Sequence, residues 1–275
     1  MTASSSLPDA LQPLTELTTL KVGVADYVAT VTLARPDKRN AFNDEVIEEL
    51  NQAFTQLGSS EAVRVVVLAA EGKAFCAGAD LNWMRAMADY SREENLADAD
   101  KLAQMLKVIY SCPKPTIAAI QGDVYAGGVG LISACDIAIA VESANFCLSE
   151  VRLGLVPATI SPYVIRAMGA RAAHRYFLTA EVFDAIEAQR VGLIHESVAN
   201  EELDEKVASV AKKLRNNSPN AVKECKQLVQ YVAGETIDES LIAQTVEGIA
   251  DIRASDEGKE GVQSFLQKRK PNWLS

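Results

Sequence analysis

The sequence contains few of the residues that bind metals or form disulfide frameworks. Only two of its 275 residues are histidine, and its five cysteines are widely spaced, with no Cys-x-x-Cys pair. Metal sites and disulfide-stapled folds use close or even-numbered sets of such residues. The composition therefore argues against both, and it predicts that the cysteines are small buried side chains in a reducing compartment.

Basic charge and long apolar runs are also scarce. The chain has 27 Lys and Arg against 37 Asp and Glu, a net charge of −10, which argues against nucleic acid or an anionic membrane as a partner. The first twenty residues contain no Lys or Arg, and no apolar run reaches the roughly 20 residues of a membrane span. We therefore expect a cytoplasmic protein.

Strand-like and helix-like segments alternate through the first 160 residues, and helical patterns dominate afterwards. This order indicates an α/β fold with mostly parallel strand pairing. We predict a flexible arm over residues 1–18, a core over 19–200 and a helical region over 201–275.

Two loops rich in small residues each follow an apolar segment. One is Ala74–Asp80 and the other runs from Ala126 to Gly130 at a strand-to-helix turn. Either one alone fits tight packing equally well. Together, at the ends of neighbouring strands, they predict two backbone N–H groups aimed at one oxygen, an oxyanion hole.

A single carboxylate, Glu150, follows in an apolar neighbourhood, where burial is expected to raise its pKa and suit it to acid/base chemistry. A hydrolase triad is disfavoured, because His174 and His195 are distant in sequence from the amide loops. Cys76 has no adjacent basic residue to lower its pKa, which argues against a nucleophilic role.

An ordered set of motifs resembles the crotonase, or enoyl-CoA hydratase/isomerase, family. The set comprises RPDKRNAF (35–42), FCAGADL (75–81), IAAIQG (117–122) before the glycine turn, CDIAIA (135–140), SEVRLGLVP (149–157) and FLQKRKPNW (265–273). The resemblance implies a spiral of ββα units with a C-terminal helical region for trimerisation. It also implies homotrimers or homohexamers and acyl-CoA thioester substrates. No metal, flavin or nicotinamide cofactor is implied, because CoA is part of the substrate.

The resemblance assigns roles to particular residues. Ala79 and Gly127 match the two oxyanion-hole amides, and Glu150 matches a catalytic acid/base. Ala77 and the backbone around Lys38 and Arg39 match the CoA site, while Phe265 and Lys268 match tail residues that reach the CoA of a neighbouring subunit. The full set of substrate-binding candidates is Lys38, Arg39, Ala77, Asp80, Trp83, Gly128, Gly130, Arg152, Phe265 and Lys268; Gly128 is also expected to serve packing.

The chain departs from the family's hydratase pattern near the glycine turn. Those hydratases carry two glutamates, whereas here the earlier position is Gly130, a usual glycine is Ala126, and Pro157–Ser161 reads PATIS instead of Pro-Gly-x-Gly-Gly. Three functions remain open: a hydratase in which Glu150 acts through one bound water, a double-bond isomerase using Glu150 alone, and an acyl-CoA binder without turnover. We rank them in that order, with Asp123 and Tyr125 as candidates to share the missing carboxylate's work.

A closer resemblance favours the hydratase. FCAGADLNWM (75–84) and LSEVRLGLVPATISPYV (148–164) look like the subgroup that hydrates methylglutaconyl-CoA or carboxygeranoyl-CoA in leucine and terpene breakdown. Such substrates carry a distal carboxylate, for which Arg152 is a candidate partner; the alternative is that Arg152 pairs with a surface acid. Trp83 and Met84 line the acyl group in one interpretation and belong to the core in the other.

Overall fold

The computed structural model describes residues 7–274. Its strands are β1 (Leu20–Ala25), β2 (Val28–Leu33), β3 (Val65–Ala70), β4 (Ala74–Cys76), β5 (Thr116–Ile120), β6 (Asp123–Tyr125), β7 (Ile137–Val141), β8 (Asn145–Cys147), β9 (Phe183–Asp184) and β10 (Glu196–Val198). Its α-helices are α1 (Asp44–Ser59), α2 (Leu81–Met87), α3 (Arg92–Tyr110), α4 (Gly127–Ala134), α5 (Ser161–Thr179), α6 (Ala185–Arg190), α7 (Leu203–Arg215), α8 (Pro219–Val232), α9 (Glu239–Ala254) and α10 (Asp256–Leu266).

From β3 to β8, successive strands alternate between two sheets. The larger sheet has the order β1-β2-β3-β5-β7-β10, and the smaller one has the order β4-β6-β8-β9. The pairs from β2 to β10 in the larger sheet are parallel, as are β4–β6 and β6–β8 in the smaller one. The pairs β3–β4, β5–β6 and β7–β8 each place one strand in each sheet, whereas β1 and β2 form an antiparallel hairpin within the larger sheet. This arrangement confirms the predicted spiral of ββα units.

The long elements form where local signals are strong. The first four residues of β3 and all of β5 are buried, as expected for parallel strands covered on both faces. Asn43 caps α1 through a hydrogen bond from the Val46 N–H, and Ser91 and Glu94 form a capping box at the start of α3. These boundaries were readable from the sequence.

The N-terminal arm differs from its predicted flexibility. Residues Asp9–Glu16 form a 3-10 helix that buries Leu11 and Leu14, and Leu7 is buried as well. The Glu49 carboxylate accepts backbone hydrogen bonds from Thr18 and Thr19 and so fastens the segment to α1. From Leu7 onward the arm is packed; residues 1–6 lie outside the described residues.

The C-terminal third is helical, as predicted. Helix α5 has a kink at Gly169, whose φ is +76°. Helix α10 extends the helical region to Leu266. Within residues 7–274, no helix combines the length and apolarity that crossing a bilayer requires.

Candidate active site

The two small-residue loops meet at one end of the smaller sheet. Strands β4 and β6 are parallel neighbours, so the loops that follow them leave from the same edge. A Cβ built on Gly78 would lie 3.0 Å from the Ala126 Cβ and 3.9 Å from the Gly127 nitrogen. The predicted convergence of the loops is therefore present in the fold.

Phe42 holds both loops in place, a role that the sequence did not reveal. Its N–H donates to the Gly78 carbonyl at 2.7 Å, and its carbonyl accepts from the Asp80 N–H at 2.7 Å. Its ring packs under the glycine turn, because a Cβ on Gly127 would lie 2.8 Å from Phe42 Cε2. The only available signal was its position as the last residue of RPDKRNAF.

Two N–H groups are left unpaired where the loops meet. Phe42 bonds to the residues on either side of Ala79, and the Ala79 N–H itself donates to no acceptor within residues 7–274. Gly127 is the first residue of α4, and its N–H likewise has no acceptor in the described chain. The helix N-terminus adds positive potential there, so the pair is suited to binding an oxyanion.

Ala126 adopts a strained backbone at this turn. Its φ of 47° and ψ of −120° lie in the mirror-β region, which glycine adopts readily and alanine avoids. Its N–H donates to the Cys147 carbonyl at 2.8 Å, which fixes the turn against β8. The strain of about 1–3 kcal/mol is borne by a residue directly before the Gly127 N–H.

Glu150 begins the short 3-10 helix Glu150–Leu153, three residues after the Cys147 carbonyl that anchors Ala126. Its Oε2 is buried and has no hydrogen-bond partner among the described residues. Burial raises the pKa of this carboxyl above its ordinary value. A carboxyl of raised pKa that has one buried oxygen without a partner is a suitable acid/base.

The glycines of α4 are close-packed. A Cβ on Gly128 would lie 2.8 Å from the Cys76 Cβ and 2.9 Å from the Cys76 carbonyl oxygen, so Gly128 lets α4 approach β4. Gly130 packs against Ile160. The packing role expected of Gly128 follows directly from these distances.

The residues that resemble a CoA site lie beside the amide pair. The Ala77 N–H donates to the Arg39 carbonyl at 3.0 Å, which joins the 35–42 loop to the loop after β4. Lys38 and Arg39 are both exposed. Their side chains are available to a ligand that enters above Ala77.

Asp80 and Trp83 have partners within the protein. The Asp80 side chain accepts from the Asn82 N–H and pairs with Arg35 at 3.0 Å. Burial acts to raise the pKa of Asp80, but these two partners outweigh it and lower the pKa. Trp83 packs against the core and donates from Nε1 to Asp98 Oδ1 at 3.0 Å. Asp80 is thus suited to positioning the loop, and Trp83 matches the core interpretation.

Tyr125 ends β6 directly before the glycine turn, and Arg152 lies in the 3-10 helix that begins at Glu150. The Arg152 guanidinium donates to the Ala180 carbonyl and has no acidic partner within the described chain, so it does not pair with a surface acid. Burial and nearby Asp123 raise the pKa of Tyr125, while Arg152 and Arg39 act in the opposite direction. Asp123 accepts two hydrogen bonds from Asn145, which leaves Tyr125 as the freer of the two polar candidates.

The tail candidates Phe265 and Lys268 lie on the helical region. Phe265, near the end of α10, is 81% exposed, and the Lys268 N–H donates to the Phe265 carbonyl. Helix α10 packs against α8 and α9. Within one chain, these residues project from the helices.

The thiols and imidazoles are engaged elsewhere. Burial raises the pKa of Cys76 to about 12, which excludes a ready thiolate at neutral pH. His195 Nδ1 accepts from the Ala138 N–H at 3.0 Å, and His174 contacts the Ala170 carbonyl. All five cysteines are free; four are buried as predicted, and Cys225 is exposed, which corrects the prediction for that residue.

Comparison with known proteins agrees with this geometry. The model of the family described as "Enoyl-CoA hydratase/isomerase" matches residues 24–275. The enoyl-CoA hydratase AKT6-1 of Alternaria alternata is 34% identical over 245 residues, covering 87% of this chain and 78% of that protein. The mevalonyl-coenzyme A hydratase sidH of Aspergillus fumigatus is 31% identical over 250 residues, covering 90% and 91%. The crystal structure of an enoyl-CoA hydratase from Shewanella pealeana superposes with a TM-score of 0.94 at 44% identity, covering 97% of this chain and all of that one.

Proposed function

Because the chain belongs to the enoyl-CoA hydratase/isomerase family, we propose that it hydrates a 2-enoyl-CoA thioester at the site formed by Ala79, Gly127 and Glu150. The observation that carries this proposal is the pair of unpaired N–H groups at Ala79 and Gly127. The Oε2 atom of Glu150 is buried and has no hydrogen-bond partner among the described residues. An acyl-CoA thioester supplies the carbonyl oxygen that such an amide pair binds.

In the proposed reaction the thioester oxygen accepts hydrogen bonds from the Ala79 and Gly127 N–H groups. The Glu150 carboxylate removes a proton from water as the water oxygen bonds to the β-carbon, and the electrons of the double bond move toward the thioester to give an enolate. The two N–H groups stabilise the negative charge on its oxygen. Glu150 then delivers its proton to the α-carbon, so that one carboxylate serves as both base and acid.

The isomerase remains the second candidate, because a lone carboxylate is sufficient for it. There Glu150 takes a proton from one carbon of a 3-enoyl thioester and returns it to another, through the same enolate. The absence of a carboxylate at Gly130 favours this candidate. The relatives named as hydratases favour the first, and acyl-CoA binding without turnover ranks third.

For the acyl group we propose a branched or carboxylated chain, as in methylglutaconyl-CoA. Support comes from Arg152, whose guanidinium bonds to a carbonyl and not to an acid, leaving N–H donors for a substrate carboxylate. The relative named for mevalonyl-coenzyme A acts on an acyl group branched at the β-carbon. Replacing Arg152 with Gln should weaken turnover of carboxylated substrates more than of plain ones; equal loss for both removes Arg152 from substrate selection.

We also propose that residues 201–275 mediate assembly into trimers or hexamers. Ile242, Val246 and Ile249 are exposed along one face of α9, a spacing that forms an apolar stripe suited to a partner. Assembly of this kind is how Phe265 and Lys268 would reach the CoA of a neighbouring subunit.

One assay separates the three candidates. The protein is given 2-enoyl-CoA and 3-enoyl-CoA thioesters, with and without a distal carboxylate, while the absorbance of the conjugated enoyl thioester is followed. Loss of absorbance from 2-enoyl compounds identifies a hydratase, and a gain from 3-enoyl compounds identifies an isomerase. No change with either, together with tight binding of the esters, identifies a binder and contradicts the proposal.

A further inference from the structure

The Arg35 guanidinium joins the two chain segments that meet beside Ala79. Its Nη1 donates to the Ala41 carbonyl at 2.9 Å, and its Nη2 donates to the Asp80 carboxylate at 3.0 Å. Ala41 directly precedes Phe42, and Asp80 directly follows Ala79. Phe42 and Ala79 themselves form an isolated β-bridge. One planar side chain therefore links the neighbours of both bridge partners.

Arg35 is itself held in position. Its N–H donates to Asn40 Oδ1 at 3.0 Å, and its carbonyl accepts from the Lys38 and Asn40 N–H groups. Asn40 is only 2% exposed, and its side-chain amide donates to the Glu71 and Ala74 carbonyls. The turn that carries Arg35 is therefore tied to the segment between β3 and β4, so the guanidinium extends from a fixed backbone.

The contact between Arg35 and Asp80 is sheltered from solvent. Their side chains are 19% and 9% exposed, and charge-assisted hydrogen bonds are roughly twice as strong as neutral ones. Asp80 also caps α2 by accepting from the Asn82 N–H at 2.8 Å. Since Ala79 is the residue directly before Asp80, a shift of the Asp80 backbone would carry the Ala79 N–H with it.

We propose that Arg35 is a positioning residue, which aims the Ala79 N–H at the thioester oxygen by bridging Ala41 and Asp80. The inference rests on the proposed function, since it takes that oxygen to bind at Ala79 and Gly127. An oxyanion donor must lie about 2.7–3.1 Å from the oxygen that it stabilises, and a misplacement of about 1 Å can cost about a hundredfold in rate. Arg35 does not touch the substrate; it acts through the backbone beside Ala79.

The first measurement reports on the two N–H groups without turnover. Butyryl-CoA labelled with carbon-13 at its thioester carbonyl has no double bond to hydrate, and its C=O stretching frequency falls when the oxygen accepts hydrogen bonds. Difference infrared spectra should show this fall on binding to the wild type and a smaller fall on binding to Arg35→Gln. Equal frequencies in the two complexes overturn the proposal.

The second measurement is the kinetics of 2-enoyl-CoA hydration. Arg35→Gln should lower kcat by about a hundredfold with little change in KM, because an oxyanion donor acts mainly in the transition state. A rise in KM with kcat unchanged contradicts this role.

A double-mutant cycle tests whether Arg35 acts through Asp80. Asp80→Asn keeps an oxygen for the cap on α2 but removes the charged partner of Arg35. Because Arg35→Gln already breaks that contact, the double variant should lose no more kcat than Arg35→Gln alone. Losses that multiply would show that the two residues act independently.

Arg64→Gln is the matched control for a loss of structure alone. The Arg64 guanidinium also donates to two backbone carbonyls, those of Arg215 and Trp273, but Arg64 directly precedes β3, at the strand end opposite to the one that leads to β4. This variant should lower the melting temperature and leave kcat and the infrared shift unchanged. If it lowers both as much as Arg35→Gln does, the loss is general and the proposal fails.

Arg35→Gln should fold well enough for these measurements. A cavity of about 330 Å³, lined mainly by polar residues, adjoins Arg35 and Asp80, so water can occupy the space that the shorter side chain leaves. The melting temperature of Arg35→Gln, compared with that of Arg64→Gln, gives the loss of stability separately from the loss of kcat.

The proposed function and the role of Arg35 fail separately. If the wild type shows the infrared shift and Arg35→Gln reduces it, but no 2-enoyl-CoA is hydrated, the proposed function is wrong and the positioning role stands. If 2-enoyl-CoA is hydrated while Arg35→Gln matches Arg64→Gln in kcat and in the infrared shift, the function stands and the role of Arg35 is wrong.

Discussion

At the scale of single residues, the proposed chemistry depends on groups that the fold leaves unpaired. The Ala79 and Gly127 N–H groups and Glu150 Oε2 have no partner within residues 7–274. The Glu150 oxygen is also buried, where almost all polar atoms of proteins are paired. Such groups reduce stability unless a ligand satisfies them. Their concentration at one end of the smaller sheet is what distinguishes this site from ordinary close packing.

Glu150 is the residue whose replacement should affect activity most. Glu150→Gln removes the proton acceptor, and we expect the hydration rate to fall by at least about a hundredfold, the lower range for a positioned acid/base. In the wild type, activity should rise with pH through the raised pKa of Glu150, so the acidic limb should lie above 4.5, the ordinary value for this group. Full activity in Glu150→Gln would contradict the mechanism.

The same carboxyl should also couple stability to pH. The pKa of Glu150 is raised in the folded protein, so folding favours its protonated form. The stability it contributes is fully present below its unfolded pKa and is lost as pH rises through the folded pKa. The free energy of unfolding of the wild type, minus that of Glu150→Gln, should therefore fall from pH 4 upward in urea titrations. A difference that is flat or rises with pH would show that the carboxyl is not buried as described.

Ala126→Gly should stabilise the protein, although glycine usually destabilises. The backbone at Ala126 suits glycine, and relief of the strain should exceed the entropy that glycine adds to the unfolded chain, a net gain of about 1 kcal/mol. Ala208→Gly, at an exposed position of α7, is the matched control and should lose about 1 kcal/mol. Thermal unfolding measures the change in stability of each variant, and the two changes should have opposite signs. If both variants lose stability, the backbone at Ala126 is not strained.

At the scale of elements, α4 is positioned by the absence of side chains. Gly128 lets the helix approach β4 at Cys76, and that approach sets where the Gly127 N–H lies relative to Ala79. The small sheet is thus as much part of the site as the glycine turn. Its strands β4, β6 and β8 have only three residues each.

Gly128→Ala should disturb both stability and activity. The added methyl group overlaps Cys76, and overpacking of this kind costs typically about 1–3 kcal/mol; the displaced turn should also reduce hydration. Gly248→Ala, on exposed α9, should instead gain about 0.5–1 kcal/mol from improved helix propensity. Equal melting temperatures and hydration rates for the two variants would show that the close approach of α4 to β4 does not require glycine at position 128.

At the scale of the whole molecule, the C-terminal helical region exposes many large apolar side chains to solvent. Besides the stripe on α9, exposed apolar side chains occur on α8 and α10, including Leu228, Val229, Val262 and Phe265. Exposed apolar side chains that cluster on a surface often mark protein interfaces. The exposed apolar side chains of α8, α9 and α10 therefore support the proposed assembly.

Val246→Asp should therefore separate the subunits. The new charge would lie at the centre of the α9 stripe, where an apolar partner surface cannot solvate it. Ser209→Asp, at an exposed position of α7, carries the same charge and should leave assembly unchanged. Light scattering on a sizing column measures the mass; a wild type of about one chain's mass, 29.6 kDa, would contradict the trimer proposal.

The sequence alone determined the architecture and suggested the kind of site. The alternation of strand-like and helix-like segments predicted the parallel core, and the two loops with Glu150 predicted an oxyanion hole beside an acid/base. Asn43 and Ser91 are residue types that commonly cap helices, so the starts of α1 and α3 are local signals as well. These features are local or repeat at short spacing, so they can be recognised from the sequence alone.

Only the tertiary structure decided how those parts are held together. Strands of three residues are too short to show a periodicity, so the small sheet could not be predicted. Phe42 lies 85 residues from Gly127, and Ile160 lies 30 from Gly130, yet each packs against its glycine. What occupies the space beside a glycine depends on close packing between distant segments, and close packing has no signature in the sequence of either segment alone.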